Sequence, residues 1–265
     1  MTSQLLPLLR NEVTKAARRK LPYFGLFAIG LACAITYFVA GHLNSTATQS
    51  AWGYVAFSMQ LVFTDIGPIF VIVFAAMLVA EETGTGTIRA ALAAPVQRWE
   101  LYLAKAVTGL LYMLVLSAAA MLVSVMLASV HFHFDAVGDS MGVVYTRNQV
   151  ARAWAVGFAL SWIPLAALTM YGLLISTLVR SPGAAVAVGI STLFIIEFTK
   201  HLMGLDQYIF TRYINYSWLT LLSVAQGMDY QWQPEVWKMI ELCGVSAAVS
   251  FGAGLIVFVR QDLNH

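Results

Sequence analysis

Charge is scarce in this sequence. Asp, Glu, Lys and Arg make up 11% of its 265 residues, against 60% hydrophobic ones, and the mean hydropathy is +0.76. Soluble domains run near a quarter charged, so too little polar surface exists here to cover a water-exposed globule. Cysteine is scarcer still. Cys33 and Cys243 each sit deep in an apolar run, which excludes a disulfide framework, and neither has the paired spacing of a metal knuckle. Long polar tracts are missing too, as are internal repeats and Pro- or Ser-rich linkers. A bilayer core of about 30 Å takes about 20 apolar residues per helix, so the length allows about six spans with short loops and no large soluble domain. Residues 1–265 therefore read as a single membrane domain. The apolar stretch Leu21 to Ala40 follows basic residues but is long enough to span, so it reads as an uncleaved first helix rather than a signal peptide.

What is present is ordered. In residues 3–20, Leu5, Leu6, Leu9, Val13 and Ala16 recur at helical spacing while Arg10, Lys15, Arg18, Arg19 and Lys20 fill other positions, the pattern of a helix lying in the headgroup plane. Apolar runs at about 21–41, 55–80, 101–130, 150–178, 183–203 and 236–259 predict six transmembrane helices. Asp65, Gly67 and Pro68 fall in the second, where a kink near Pro68 is expected. Residues 131–149 read as a polar loop and 179–182 as a tight turn. Residues 204–235 are aromatic-rich, with Tyr208, Phe210, Tyr213, Tyr216, Trp218, Tyr230 and Trp232. A short re-entrant helix over Leu219–Met228 fits there. With the N-terminus inside, ten Lys and Arg fall on the cytoplasmic side and five outside, out of 15 in all. That predicts both termini cytoplasmic.

The most informative stretch runs from Glu81 to Glu100, EETGTGTIRAALAAPVQRWE, followed by Lys105. An acidic pair ends a span, Gly and Thr turn the chain, and Thr85 or Thr87 is placed to cap a new helix. Ile88, Ala91 and Leu92 share one face of two short turns, which Pro95 stops. The expectation is a short helix held beneath the membrane between two long spans, able to dock in another protein's groove.

These residues resemble the membrane-spanning subunits of type-2 ABC exporters at Glu82, Gly86, Thr87, Leu92, Pro95, Arg98 and Lys105. The layout is similar too: an interfacial N-terminal helix, six spans, an outer re-entrant region between spans five and six, and a short basic end. The sequence departs from the pattern in carrying Ala-Ala-Leu-Ala-Ala where many relatives have consecutive leucines. The resemblance implies an all-α membrane protein with a cytoplasmic coupling helix between spans two and three. Glu82, Gly86, Thr87, Ile88, Leu92, Pro95 and Arg98 would make up the coupling site. It further implies a multi-pass protein of the cell inner membrane, paired with a second permease, identical or paralogous. Two cytoplasmic ABC ATPase subunits would bind ATP and Mg. No G-x-x-x-x-G-K-[ST] phosphate loop occurs, so this chain is not expected to cradle ATP, to hold a cofactor or to be an enzyme. No nucleic-acid partner is implied.

Other residues admit two readings each. Asp65 lies roughly 24 Å along the helix from Glu81 at 1.5 Å per residue. It either faces a wet cavity or is hydrogen-bonded at the kink. Glu197, Lys200 and His201 share one helix face, either as an intrahelical ion pair anchoring the helix end or as a gate. Asp65 and Glu197 are the candidates for a translocation path. Lys238 and Glu241 repeat the ion-pair geometry. His131, His133 and Asp135 read as boundary loop residues, because His-x-His aligns two imidazoles only on a strand. Tyr145, Arg147, Trp154 and Trp162 read as interface anchors. Spans so poor in fixed charge suit a hydrophobic or amphipathic substrate, such as a drug, peptide antibiotic or lipid-like molecule. The alternative is an ATPase-independent channel or ion-coupled carrier, which predicts midplane charge pairs and inverted halves. An intramembrane enzyme would need clustered His, Asp or Glu.

Overall fold

The computed structural model describes residues 5–42, 50–87, 97–139, 142–228, 230, 232 and 235–261. It begins with α1 (Leu5–Arg18) and α2 (Lys20–His42). Next come α3 (Ala51–Leu61), a π-helical turn (Val62–Ile66) and α4 (Gly67–Gly84), which together make one continuous rod. Then α5 (Arg98–His131), a hairpin of β1 (Val137–Asp139) and β2 (Gly142–Tyr145), α6 (Arg147–Leu178) and α7 (Pro182–Met203) follow. Two 3-10 turns (Asp206–Tyr208 and Phe210–Ile214), α8 (Tyr216–Ala225) and α9 (Glu235–Arg260) complete it. Among the described residues six helices are long and apolar enough to cross a membrane: α2, the α3–α4 rod, α5, α6, α7 and α9. The protein is an all-α membrane protein.

Local chemistry sets the helix ends. Ser50 accepts from Gly53 N at 3.0 Å and caps α3. Thr146 and Gln149 form a reciprocal capping box that starts α6. Pro182 opens α7 in the first turn, where a missing N–H costs nothing, and Gly204 closes it in the left-handed conformation (φ 63°). The expected disturbance near Pro68 takes the form of the π turn immediately before it. Pro68 has no N–H to donate, and Gly67 N bonds back five residues to Val62 O, so the ladder absorbs the defect with one wider turn.

The α4 and α6 helices form the centre, with α4 also packed on α5 and α7, and α6 on α9. Small residues bring the two central backbones together. A Cβ on Gly172 would lie 2.7 Å from Ala75 Cβ and 3.2 Å from Ile72 O. In a bilayer, where apolar side chains gain little by leaving lipid, such close approach is what holds helices to each other. Polar groups buried between α2, α3 and α5 satisfy one another. Thr36 Oγ1 donates to Ser58 Oγ (2.9 Å), Ser58 meets Ser124 (3.0 Å), and Ser124 reaches Cys33 Sγ (3.4 Å).

The helix ends gather in two groups. At one end Thr83 Oγ1 bonds Arg180 O, and Gln261 Nε2 bonds Thr177 O at 2.7 Å. The ends of α4, α6 and α9 and the starts of α5 and α7 therefore share one face, the base. At the other, Ala51 N bonds His133 O and Trp52 Nε1 bonds Asp135 O, so these two boundary residues dock the start of α3 through their backbone. Tyr145 donates to Met228 O there.

Three expectations are corrected at this second end. The stretch 131–149 contains a two-stranded hairpin instead of plain loop, because Gly142 at φ 136° permits a turn that only glycine adopts easily. The short aromatic-region helix runs from Tyr216 to Ala225, not from Leu219 to Met228, and buries Trp218 against Phe63 and α6. Trp154 is buried beside Trp52 and so is no interface anchor. Lys238, for its part, pairs with Glu235 at 3.3 Å and not with Glu241.

Candidate functional site: a buried charge quartet at the base and a polar cavity above it

The α1 helix lies across the base, with Leu8 and Ala16 packed against the bundle and Leu6 (80%) and Val13 (38%) exposed. The residue it buries is Glu12. Glu12 is the one acid in residues 3–20, surrounded by five bases. That solitary acid was the available sequence signal, and hydrophobic periodicity passes over it.

Glu12 meets Lys15 from its own helix, Glu82 from the end of α4 and Lys105 from the first turns of α5. Lys105 Nζ lies 2.8 Å from Glu12 Oε2, 2.7 Å from Glu82 Oε2 and 2.9 Å from Leu78 O. Lys15 Nζ lies 2.8 Å from Glu12 Oε1 and 2.9 Å from Glu82 Oε1. Each ammonium thus bridges both carboxylates, and the four formal charges cancel. The Lys105 side chain is fully buried, and those of Glu12 and Glu82 nearly so. An unpaired charge in that position would be prohibitively desolvated, so the ring holds only while all four members are in place. At its rim Arg19 pairs with Glu81 at 3.1 Å. Burial alone would lower the Lys15 pKa, but its bonds to Glu12 and Glu82 outweigh that and hold it above the ordinary lysine value.

The quartet joins the two helices that bracket residues 85–97. Thr85 N bonds Glu81 O, Gly86 N bonds Thr83 O, and Gly86 takes φ 74°, so the chain leaves α4 through a left-handed turn. Thr85 Oγ1 bonds Glu81 O, closing the old helix where a cap for a new one was expected, and meets Thr87 Oγ1 at 2.9 Å. Ile88, Leu92 and Pro95, and with them the predicted short helix, lie outside the described residues. Arg98 donates to Val259 O (3.0 Å) and Gln261 O (2.8 Å), fastening the start of α5 to the end of α9. The last carbonyls of α9 have no partners within their own helix, and a guanidinium satisfies two of them.

The two path candidates come together. Asp65, in the π turn, and Glu197, on α7, line one cavity of about 180 Å³ with Thr64, Thr211 and Asn215 as its other polar groups. Asp65 is exposed and Glu197 is ion-paired with the buried Lys200, which also donates to Thr211 Oγ1 at 3.3 Å. Glu197 therefore forms the intrahelical pair, and it also lines the cavity. Among the described residues no group of His, Cys, Asp and Glu is arranged to hold a metal ion.

Six helices long and apolar enough to cross a membrane, with an amphipathic helix laid across their base, mark a multi-pass membrane protein. A family model described as ABC-2 family transporter protein matches residues 8–196, more than half of the chain, and the chain belongs to that family. It is a membrane permease component of an ABC transporter. A comparison with curated proteins finds no match.

Proposed function

We propose that this permease works as an exporter, moving a hydrophobic or amphipathic compound out of the cytoplasm or inner leaflet with energy from a separate ATPase. Two ATPase subunits would act on a pair of permeases in the inner membrane. The base of the bundle faces the cytoplasm in this reading, with both termini on that side, in keeping with the ten-to-five distribution of Lys and Arg. The observation that supports it best is the charge quartet. Because Glu82 and Lys105 share partners, α4 and α5 are tied together on either side of residues 85–97. A push delivered to residues 88–96 by a docked partner would move both helices and α1 as one body, where a loosely attached loop would only bend.

Asp65 and Glu197 would lie along the path, at the cavity beside the π turn. The carrier alternative finds little support among the described residues, since the fully buried ion pairs are gathered at the base. The test replaces Leu92 by Asp, which buries an unpaired charge in any docked interface at a cost of several kcal/mol. ATPase co-purification and transport should both fall, while Asp139→Asn at the opposite end leaves them intact. A Leu92→Asp chain that still binds its ATPase and transports normally would remove the coupling role. Outside labelling of a cysteine at position 139 but not at position 89 would support the sidedness.

A further inference from the structure

The elbow between α1 and α2 encloses a groove that the transport reading does not use. It has a volume of about 210 Å³, and its walls come from Val13 and Ala17 on α1, Pro22 and Leu26 on α2, and Leu111 and Tyr112 on α5. The groove opens outward between helices: Val13, Ala17, Leu111 and the neighbouring Val115 are exposed. The elbow is fixed, since Tyr23 donates across it to Ala17 O at 2.8 Å.

Two further observations point to an occupant. Tyr112, which lines the groove, is more than nine-tenths buried, stacks on Phe74 at 4.0 Å and carries its hydroxyl against Gly25 of α2. Among the described residues that hydroxyl has no hydrogen-bond partner, although a buried O–H without one is costly. The basic residues of this region also divide into two sets. Lys15 and Arg19 are neutralised by Glu12, Glu82 and Glu81. Arg18 and Lys20, exposed at the elbow, meet no carboxylate among the described residues.

We propose that this groove seats one anionic phospholipid, with its phosphate held by Arg18 and Lys20, an acyl chain between α1, α2 and α5, and an ester carbonyl within reach of Tyr112. An apolar groove beside the elbow that carries two exposed cations, with a phenol in its lining, offers that ligand a place for both its phosphate and its tail. A soluble anion would leave the slot empty, and a neutral lipid would leave the cations unused. The lipid would hold α1 from its outward side while the charge quartet holds it from within.

The experiment uses the full chain purified in detergent and exchanged into micelles containing phosphatidylglycerol, phosphatidylcholine or inorganic phosphate alone. Retained lipid is counted by native mass spectrometry and stability is followed by thermal unfolding. Phosphatidylglycerol should remain bound and raise the unfolding temperature, while phosphatidylcholine and inorganic phosphate do neither. Arg18→Gln and Lys20→Gln should each weaken retention about fivefold, since a cation near a lipid surface contributes about a factor of that size. Arg152→Gln, an exposed cation at the opposite end, should leave it unchanged. Leu111→Trp should abolish retention by filling the slot from an exposed position, and Tyr112→Phe should weaken it. Equal retention of phosphatidylcholine, protection by inorganic phosphate, or undiminished retention in the Arg18 and Lys20 variants would overturn the proposal.

Discussion

The two ends of the bundle are held by different chemistry. At the base, four charged groups from three helices close on one another, Glu12, Glu82 and Lys105 buried and Lys15 at the exposed rim, and Arg98 and Gln261 tie further helix ends through carbonyls. At the opposite end the fastenings are aromatic faces and backbone hydrogen bonds. Tyr54 stacks on Phe132, Trp52 meets Phe134 edge-on, and the ion pairs Glu197–Lys200 and Glu235–Lys238 each stay within one helix. An ion ring is stiff and all-or-none, because removing one member strands the others. Aromatic and exposed contacts degrade gradually.

The comparison breaks most sharply at Lys105. Lys105→Met leaves Glu12 and Glu82 sharing a single half-exposed lysine, and should cost about 3–5 kcal/mol, the range for breaking a buried ion pair from one side. Thermal unfolding of the purified chain should show it, and adding Glu12→Gln should recover part of the loss. Both variants unfolding like the parent would mean the ring has no structural weight. Next in size is Gly172→Val, which forces a branched side chain into the α4–α6 contact that serves both ends. Overpacking of that kind costs about 1–3 kcal/mol, and the same unfolding measurement applies.

At the opposite end Lys200→Met should cost less than about 1 kcal/mol, because Glu197 is more than a third exposed and can turn to the cavity. A loss as large as that of Lys105→Met would erase the contrast between the ends. The smallest effect is one of pH. The Lys15 pKa is raised on folding, so its contribution is complete below 10.5 and fades as pH climbs through the higher folded value. Hydrogen exchange or limited proteolysis should find α1 loosening in that alkaline window before the hairpin end changes. Loosening on acidification with α1 stable in alkali would contradict the sign.

Much of the layout could be read from residue order. Each apolar run from 21–41 to 236–259 lies within one of the six long helices. This works because a lipid solvent imposes one rule, about 20 apolar residues with every backbone group bonded internally. The candidate site was legible only in part. Glu82 and Lys105 stood out in the motif, and both joined the quartet. Glu12 did not stand out, because an acid in a basic amphipathic helix looks like a solvated residue until α4 and α5 are placed beside it. The partners of Arg98 were hidden for a related reason: a free helix C-terminus offers carbonyls that no sequence pattern advertises.

By itself the sequence determined the solvent, the number of long apolar helices among the described residues, the scarcity of fixed charge within them and the membership that residues 8–196 confirm. Those properties follow from composition and short-range periodicity, which act within one helix at a time. The tertiary structure alone decided which charges neutralise one another, that Asp65 and Glu197 share a cavity, and that Arg18 and Lys20 meet no carboxylate among the described residues. Those outcomes depend on the angle and register at which helices meet. Glu12 and Glu82 are 70 positions apart in the chain, yet the same two ammonium groups bridge them. Only the packing of α1 across the ends of α4 and α5 could put them there.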